Sequence, residues 1–547
     1  MNRMTGADAI INSLMQYGVD TVFALPGGQL DNLFDAMYKK DDALQVIHSR
    51  HEQGVAYMAF GYARSTGKVG VYSVVPGPGL LNSSAALCTA WGNSTPVLCV
   101  AGQIPSTAIG KGYGDLHEID DQLGMISHLT KWSQRIDSPT QAPSVIREAF
   151  KQLNTGRPRP VEVEMPMDTM GEVADVALLD PLTEYEPTAI DSEKIAAAAK
   201  LLGKAKNPLI VIGGGANHCA EGLLALAQAL QAPVVAKRNG KGVISFEHYL
   251  SMNAPLGHKL WAKTDVVLAI GTRLRECLTA WGKDDDMQLI RVDIDPVEID
   301  RICVPEVGIV GDAARVIEAL YDDVNRHNRK RASREQELTE LKSAFAAEVR
   351  ENVAAQMAYL DVIREVLPGD GIFVDEITQV GFTSWYGFPV YQPRQHITCS
   401  EMGTLGYGFA TALGVAVANP GKKVIQISGD GGFMFNVQEL CTAVQYQIPV
   451  VTVIFNDNTY GNVQRQQDDW FGGRRICSDL HNPDFAKLAE VFGATGMTAD
   501  NPASLKTALE KALSLNGPVL IEVPVTTRMP SPWPYIMLPQ NRKAVCR

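Results

Sequence analysis

Short apolar runs alternate with amphipathic helical stretches along most of the chain, which is the pattern of an α/β protein. Three segments show this alternation, residues 1–170, 191–325 and 355–547. We expect each of them to form one domain around a doubly wound parallel sheet. Between the first two, residues 171–190 are rich in proline and glutamate and lose the periodicity, which predicts a surface linker.

Several elements inside these segments can be placed from the pattern. The first segment opens with a predicted helix from Thr5 to Tyr17, and threonine is a favoured N-cap. A charged helical stretch from about Asn325 to Arg350 is typical of a connector between domains. The tail RMPSPWPYIMLPQ holds too many prolines for a regular helix or a central strand, so we expect it to be a surface or lid segment.

Composition narrows the class of protein. The 547 residues are 46% hydrophobic and 20% charged, which excludes disorder on the scale of a domain. The net charge is −12 without a dominant basic run, so no nucleic-acid partner is expected. The nine cysteines are dispersed, which fits a reducing compartment. No apolar stretch has the roughly 18 residues of a membrane helix, and the first residues lack an apolar signal core. We therefore expect a cytoplasmic protein without a membrane partner.

The clearest chemical signal comes from two strand ends in the third segment. KKVIQISGDGG and PVVTVIFNDN each read as a buried strand that runs into a polar turn. In a parallel sheet both turns lie at the same edge and can converge on one ligand. Asp430 and Asp457 supply oxygen donors suited to Mg²⁺ or Ca²⁺, and the glycines let the backbone approach a diphosphate. Gly-Asp-Gly alone also fits an ordinary β-turn, so the pairing of the two turns carries the prediction.

This spacing resembles the thiamine-diphosphate motif, in which GDG is followed at a distance by a strand ending in NN. Over essentially all 547 residues the chain resembles the superfamily of acetolactate synthase, pyruvate oxidase and benzoylformate decarboxylase, and it is most similar to acetolactate synthase large subunits. The resemblance implies pyrimidine-binding, central and diphosphate-binding domains, with thiamine diphosphate and Mg²⁺ as cofactors.

The resemblance also assigns residues to the metal and the phosphates. It implies metal ligation by the side chains of Asp430 and Asp457 and by the carbonyl of Thr459. Asp457 departs from the more usual asparagine, and its carboxylate adds a negative charge beside the diphosphate. The implied diphosphate-binding residues are Gly431, Gly432 and Asn458.

The segment VIHSRHEQGVAYMAFGYARSTGKVGV resembles the glutamate motif of the family and places Glu52 at the catalytic position. The chemistry needs a carboxylate against the pyrimidine ring nitrogen, because it favours the tautomer that accepts the proton of the thiazolium carbon. Taken without the diphosphate motif, a glutamate at this position is more often a charge on a helix surface.

Further segments fit the same site by resemblance. The loop PGGQ brings Gln29 beside the reacting carbon, and SEMGTLGYG supplies the Gly403 carbonyl for the pyrimidine amino group. In the same segment Leu405 is the apolar wedge between the rings, although a plain core leucine remains the alternative. Thr378 and Gln379 belong to the cofactor-covering loop DEITQ. His117, in GDLHEIDDQLG, is an acid–base candidate or a solvated loop histidine.

The middle segment carries Gly213-Gly214-Gly215 after an apolar strand, a turn that is generic in α/β proteins. Acetolactate synthases bind FAD in this domain. Here NAPLGHKLWAKTDVV is shorter than the family's flavin-contacting stretch and GTRLREC differs from its arginine pattern. FAD is therefore possible but not favoured.

The resemblance implies decarboxylation of a 2-oxo acid followed by carboligation to a 2-hydroxy ketone. The loop VVPGPG has no ionisable group, and the His-His pair of pyruvate decarboxylases is absent. Gln466 stands where acetolactate synthases have the tryptophan that selects 2-oxobutanoate, and with Asn462 and Gln464 it suggests a polar pocket. A decarboxylase or lyase for a larger polar substrate is the alternative, and a non-catalytic relative is another.

The resemblance further implies a homodimer or homotetramer. Glu52 and Asp430 lie in different predicted domains, and in the family the first domain of one subunit faces the third domain of another. The cofactor would then bind between two chains, with two such sites in a symmetric dimer.

Overall fold

The computed structural model describes residues 2–40, 42–182 and 184–543, and the chain divides into two compact units. The first unit comprises Met1–Tyr185, Cys399–Asp500 and Thr507–Pro524. The second comprises Glu186–Thr398, Asn501–Lys506 and Val525–Arg547. The first unit thus contains both the glutamate motif and the two strand-end turns. The three domain boundaries given above remain a prediction.

The N-terminal part of the first unit has a six-stranded parallel sheet and one antiparallel pair. Its strands are β1 (Asn2–Thr5), β2 (Thr21–Ala24), β3 (Gln45–His48), β4 (Gly70–Val74), β5 (Val97–Gln103), β6 (Trp132–Arg135), β7 (Val161–Pro166) and β8 (Val173–Val176). The sheet order is β3-β2-β4-β5-β7-β6, and β1 pairs with β8. The predicted linker therefore contains one short strand, because residues 173–176 find a partner at the start of the chain.

Helices flank this sheet. They are α1 (Gly6–Gln16), α2 (Asp31–Tyr38), α3 (Glu52–Thr66), α4 (Pro78–Gly92), α5 (Gln122–Ile126), α6 (Ala142–Asn154) and α7 (Met167–Gly171). The predicted opening helix is confirmed, and Thr5 is its N-cap. The Thr5 hydroxyl oxygen accepts the Asp8 amide at 3.0 Å while the Asp8 carboxylate accepts the Thr5 amide, which forms a capping box.

The central part of the second unit repeats the architecture. Its strands are β9 (Pro208–Ile212), β10 (Val234–Ala236), β11 (Ser251–Met252), β12 (Val266–Ile270), β13 (Gln288–Asp293) and β14 (Val307–Val310), in the parallel order β11-β10-β9-β12-β13-β14. Its helices are α8 (Ser192–Lys204), α9 (Ala220–Leu230), α10 (Ala254–Trp261), α11 (Pro296–Asp300), α12 (Ala313–His327) and α13 (Glu335–Asn352). The predicted charged connector corresponds to the end of α12 and to α13.

The second unit also holds the start of the third segment and the proline-rich tail. These elements are α14 (Ala354–Val366), β15 (Ile372–Val374), α15 (Gln379–Gly387) and β16 (His396–Ile397), and β15 pairs with β16 in parallel. The tail forms one 3₁₀ turn, Trp533–Tyr535. The rings of Trp533 and Phe382 lie 5.0 Å apart, and Asn352 donates to the Tyr535 hydroxyl at 2.9 Å. The prediction that the tail is neither a regular helix nor a strand is confirmed.

Apart from residues 501–506 and the tail, the rest of the third segment returns to the first unit, with four parallel strands in the order β17-β18-β20-β19. The elements are α16 (Tyr407–Ala418), β17 (Val424–Gly429), α17 (Asp430–Phe433), α18 (Glu439–Gln445), β18 (Val450–Asn456), α19 (Gly461–Phe471), α20 (Phe485–Phe492), β19 (Thr495–Thr498), α21 (Pro502–Leu513) and β20 (Val519–Pro524). The predicted α/β class with parallel sheets is confirmed.

Helices α3 and α16 join the N-terminal and C-terminal parts of the first unit. A side chain on Gly61 of α3 would overlap the Thr411 carbonyl, and one on Gly414 of α16 would overlap the Met58 carbonyl. The two helices therefore touch through their backbones, which only glycine permits at these positions. This contact fixes the helix that begins with Glu52 against the region that carries the diphosphate motif.

Two further properties bear on the expectations from composition. The eight cysteines that the structure describes are free thiols, while Cys546 lies outside the described residues. Among the described residues, no helix combines the length and apolarity that crossing a membrane requires.

Candidate active site

The two polar turns predicted to converge do lie at one edge of the sheet. Strands β17 and β18 pair in parallel, with Gly429 opposite Phe455. Asp430 follows Gly429 as the first residue of α17, and Asp457 follows the last residue of β18. Parallel register therefore brings two carboxylates together across a long stretch of sequence.

The electrostatics of this edge fit a divalent cation. The side chain of Asp430 is 3% exposed, and burial together with the neighbouring Asp457 carboxylate raises its pKa to about 6. Like charges in a poorly solvated position disfavour each other unless a cation lies between them. Two carboxylates are also the donors that Mg²⁺ prefers. This edge therefore suits the predicted metal.

The segment after β18 is shaped by short side-chain contacts. The amide and the hydroxyl of Thr459 both donate to the Asp457 carboxylate, at 3.0 and 2.9 Å. Asn458 has a left-handed backbone with φ 55°, and its amide donates to the Asn456 side chain at 3.2 Å. A side chain on Gly431 would come within 2.6 Å of the Tyr460 ring, so that position is held tightly. Gly432 is buried beside it.

Asn482 is a member of this edge that the sequence analysis missed. Its side-chain nitrogen lies 2.6 Å from Asp430 Oδ2, 3.1 Å from Asn456 Oδ1 and 3.3 Å from Asn458 Oδ1. One amide thus faces three oxygens that belong to both turns. It occurs in the loop before α20, where neither periodicity nor spacing marks it.

Glu52 is the first residue of α3, after the N-cap His51. Its side chain is half-buried, and its Oε2 accepts a hydrogen bond from Asn82 of α4 at 3.0 Å. Its Oε1 lies 3.6 Å from where a side chain on Gly79 would begin, so the first turn of α4 lies beside the carboxylate. The structure therefore gives Glu52 specific neighbours, which an ordinary surface charge lacks.

Gln29 and His117 are brought together. Gln29 is 4% exposed, its amide donates to the Leu116 carbonyl at 2.9 Å, and its oxygen lies 3.1 Å from His117 Nδ1. His117 is half-buried and has a left-handed backbone with φ 70°. His117 is thus held in place by Gln29, and it is not a freely solvated histidine.

A buried network supports the loop after β4. The Gly77 amide donates to the Gln122 side chain at 2.9 Å, and Gln122 donates to Glu164 at 2.7 Å. Arg135 pairs with the other oxygen of Glu164 at 2.7 Å. These side chains fix the loop that leads into α4, the helix whose Gly79 and Asn82 lie beside Glu52.

The remaining predicted cofactor residues divide between the units. Gly403 is exposed with φ 60°, and Leu405 is half-buried, so Leu405 is not a fully enclosed core leucine. Their segment is anchored to α4 by a contact of 3.1 Å between the hydroxyls of Thr404 and Thr89. Thr378 and Gln379 lie in the second unit, where Thr378 is the N-cap of α15. The first unit holds all the other predicted site residues.

Three family models, all of thiamine pyrophosphate enzymes, match the chain. Residues 4–125 match the model of the N-terminal TPP binding domain of thiamine pyrophosphate enzymes. Residues 195–320 match the central domain of these enzymes, and residues 376–523 match their C-terminal TPP binding domain.

Curated relatives extend over nearly the whole chain. A probable acetolactate synthase large subunit of Methanococcus aeolicus is 33% identical over 95% of this chain and 92% of its own length. The acetolactate synthase large subunit of Haemophilus influenzae is 33% identical over 96% and 95% of the two chains. A probable 2-ketoarginine decarboxylase of Pseudomonas aeruginosa is 32% identical over 95% and 94%. The chain therefore belongs to the thiamine pyrophosphate enzymes and is a thiamine-diphosphate-dependent enzyme of the acetolactate synthase type.

Proposed function

We propose that the protein decarboxylates a 2-oxo acid with thiamine diphosphate and Mg²⁺ and joins the remaining acyl unit to a second carbonyl compound, giving a 2-hydroxy ketone. The observation that carries this proposal is that Glu52 begins α3 with a hydrogen bond from Asn82, while the carboxylate pair Asp430 and Asp457 lies at the ends of two paired strands. The first supplies a base and the second a metal site.

The metal would be held by Asp430, Asp457 and the carbonyl of Thr459, with Gly431, Gly432 and Asn458 against the diphosphate. The fit rests on the chemistry of the donors: two carboxylates follow the paired strands β17 and β18, and burial together with the neighbouring Asp457 raises the pKa of Asp430 to about 6. Bound thiamine diphosphate supplies a nucleophilic carbon that adds to the 2-oxo group and takes up the electrons released with carbon dioxide.

The proposed task of Glu52 is to hold a proton at the pyrimidine nitrogen and return it. Asn82 donates to Oε2, which orients the carboxylate and leaves Oε1 for that exchange. Gln29 orients His117 through Nδ1, and His117 is the proposed acid–base group for the substrate. The exposed backbone of Gly403 and the half-buried Leu405 are proposed to support the pyrimidine side of the cofactor.

Carboligation is favoured over simple aldehyde release by the loop after β4. Residues Val75 to Gly79, which form this loop and the start of α4, carry no ionisable side chain, and Gly79 lies beside Glu52. This loop would offer no proton to the bound acyl unit, which favours its transfer to a second carbonyl compound over release as an aldehyde. The acetolactate synthases among the relatives support the same outcome.

Product analysis tests the proposal. Purified protein with pyruvate, thiamine diphosphate and Mg²⁺ should release carbon dioxide and form acetolactate or another 2-hydroxy ketone, detected by chromatography. Aldehyde as the sole product would contradict carboligation and leave decarboxylation standing. No binding of thiamine diphosphate in a calorimetric titration would instead support a non-catalytic family member.

A decarboxylase for a larger polar 2-oxo acid is the second candidate. The relative named as a probable 2-ketoarginine decarboxylase favours it, and so does α19, none of whose residues is buried. Asn462, Gln464 and Gln466 lie on this helix, and Gln464 is bound to Asp479 at 3.0 Å. Comparing pyruvate with a guanidino 2-oxo acid as substrates, by carbon dioxide release, separates the two candidates.

We also propose a homodimer or homotetramer with the cofactor between subunits. Large apolar side chains are exposed in the first unit, in the segments that carry the candidate site: Leu81, Leu116, Met402, Phe435, Trp470 and Phe471. A second copy of the chain would remove them from water. A fully active monomer in a sedimentation experiment would contradict this proposal.

FAD is left out of the proposed function. At the carboxyl ends of β9 and β12, a side chain on Gly271 would come within 2.5 Å of the Gly215 Cα. The two turns pack on each other, and the pyrophosphate of a dinucleotide would need that space. Protein that is incubated with FAD and then separated from unbound FAD should show no flavin absorbance. The cytoplasmic location remains a prediction from the dispersed cysteines.

A further inference from the structure

Glu439 is a buried carboxylic acid that the chemistry above does not use. It is the first residue of α18, in the stretch that follows the Gly-Asp-Gly turn, and its side chain has no solvent exposure. A buried acid is costly unless it is bound to donors. Its donors come from two places, α18 itself and the start of α3.

The carboxyl group of Glu439 faces the segment that leads into Glu52. The Arg50 amide lies 3.3 and 3.2 Å from its two oxygens, and the Thr442 hydroxyl donates to Oε2 at 2.7 Å. The His51 amide is a further donor to the same group. The backbone on the amino-terminal side of Glu52 is thus tied to a side chain from the third segment.

Gly54, on the carboxyl-terminal side of Glu52, also lies against the carboxyl group of Glu439. A side chain on Gly54 would begin 2.5 Å from Glu439 Oε1 and 2.7 Å from its carboxyl carbon. The first turn of α3 can therefore lie against the carboxyl group only because residue 54 has no side chain. Residues on both sides of Glu52 touch the same acid.

The C-terminal end of α18 makes a second contact with the segment that leads from β3 into α3. Tyr446, just after α18, places its hydroxyl 2.6 Å from His48 Nδ1 and 3.1 Å from the His48 amide nitrogen. His48 ends β3, so α18 binds the path from β3 to α3 at both of its ends. This arrangement fixes the direction in which α3 begins.

We propose that Glu439 is a positioning residue for Glu52, because it fixes the first turn of α3 through the backbone of Arg50 and His51 and the bare face of Gly54. This inference rests on the proposed role of Glu52 as the base. Glu439 itself does not touch the cofactor or the substrate in this proposal.

The ionisation of Glu439 gives the proposal a distinctive pH dependence. Burial raises the pKa of Glu439 from 4.5 to about 7, against the lowering effect of its hydrogen bonds. The titratable side chains in the segments against it are those of His48, Arg50, His51 and Glu52. Below pH 7 the neutral acid resembles glutamine, and above pH 7 both oxygens accept. Since the folded pKa is raised, the contribution to global stability is complete below about pH 4.5 and is lost as the pH rises through 7. The hydrogen bonds from the Arg50 and His51 amides to the ionised acid are nevertheless stronger than those to the neutral acid, so the local hold on this segment increases over the same pH range.

The test compares Glu439→Gln with the parent protein at pH 6 and pH 8. In the cofactor-free protein, we compare deuterium uptake by peptides covering residues 49–57. Variant and parent should take up deuterium at the same rate at pH 6, and the variant should take it up faster than the parent at pH 8. With thiamine diphosphate and Mg²⁺, proton exchange at the thiazolium carbon should fall by about 10- to 100-fold at pH 8 and change little at pH 6. Gly54→Ala should slow this exchange at both values.

Glu162→Gln is the matched control. Glu162 on β7 is another fully buried acid, and neither of its oxygens has a hydrogen-bond partner among the described residues. This variant should leave both readouts at the parent values. Equal deuterium uptake by parent and Glu439→Gln at pH 8 would overturn the proposal, and so would an effect matched by Glu162→Gln. A wrong assignment of Glu52 as the base would give a different result. In that case proton exchange at the thiazolium carbon would be as fast with Glu52→Gln as with the parent protein.

Discussion

Glu52 and Asp430 are built alike and surrounded differently. Each is the first residue of a helix after a parallel strand, where the positive end of the helix favours a carboxylate. Glu52 is half-buried, receives a hydrogen bond from the neutral side chain of Asn82 and has no acid beside it among its described contacts. Asp430 is 3% exposed and has Asp457 beside it, which helps burial to raise its pKa to about 6.

The difference shows how one local motif can serve two purposes. A carboxylate with a neutral donor and access to solvent can take up and release a proton in place. A carboxylate that is buried next to a second one is stabilised by a cation. The same strand-and-helix start therefore predicts a proton-transferring group in one region and a metal ligand in the other, and four substitutions test that contrast.

The largest effect is expected for Asp430→Asn. Loss of a charged ligand should weaken binding of thiamine diphosphate with Mg²⁺ by about 100-fold or more, since even the outer partners of metal ligands contribute about 10- to 100-fold. The cofactor-free variant should be at least as stable as the parent, because a buried charge is removed. Calorimetric titration and thermal melting measure the two quantities. Unchanged cofactor affinity would remove Asp430 from the metal site.

Glu52→Gln should show the opposite profile. Its cofactor affinity should stay near the parent value, because Asp430 and Asp457 are intact. Proton exchange at the thiazolium carbon, followed by NMR, should slow by about 10²-fold, the usual contribution of an acid–base group. Exchange at the parent rate would mean that the base has been misassigned and that the contrast with Asp430 does not hold.

A smaller effect should follow from Asn82→Ala, which removes the hydrogen bond to Glu52. A bond of this kind contributes roughly 1 kcal/mol, which corresponds to about a fivefold slower proton exchange. Ser84→Ala on the same helix is the control and should exchange at the parent rate. If both variants behave like the parent, Asn82 does not orient the carboxylate.

The smallest effect is expected for Asp457→Asn. This change relieves the like charge beside Asp430, and the melting temperature of the metal-free protein should rise by an amount that corresponds to roughly 1 kcal/mol or less. With Mg²⁺ the affinity for thiamine diphosphate should change by less than about tenfold, because the amide oxygen can still ligate. A loss of stability without metal would show that the two carboxylates do not repel each other.

Sequence and structure contributed different parts of the site. The alternation of apolar and polar residues predicted the strands that end before Asp430 and Asp457, because strand periodicity and turn residues are local properties. Resemblance to a family then placed Glu52, Gln29 and His117, and the structure brings Gln29 and His117 within 3.1 Å. The short strand β8 was missed because its pairing partner lies at the start of the chain.

Only the tertiary structure revealed the residues that support these groups. Arg50 and Glu439 are 389 positions apart, and Asn482 reaches Asp430 over 52 positions, so no local pattern connects them. Their contacts depend on the side-by-side register of β17 and β18 and on the close approach of α3 and α16 at Gly61 and Gly414. The sequence by itself determined which groups can do the chemistry. The packing of backbone against backbone decided which side chains hold those groups in place.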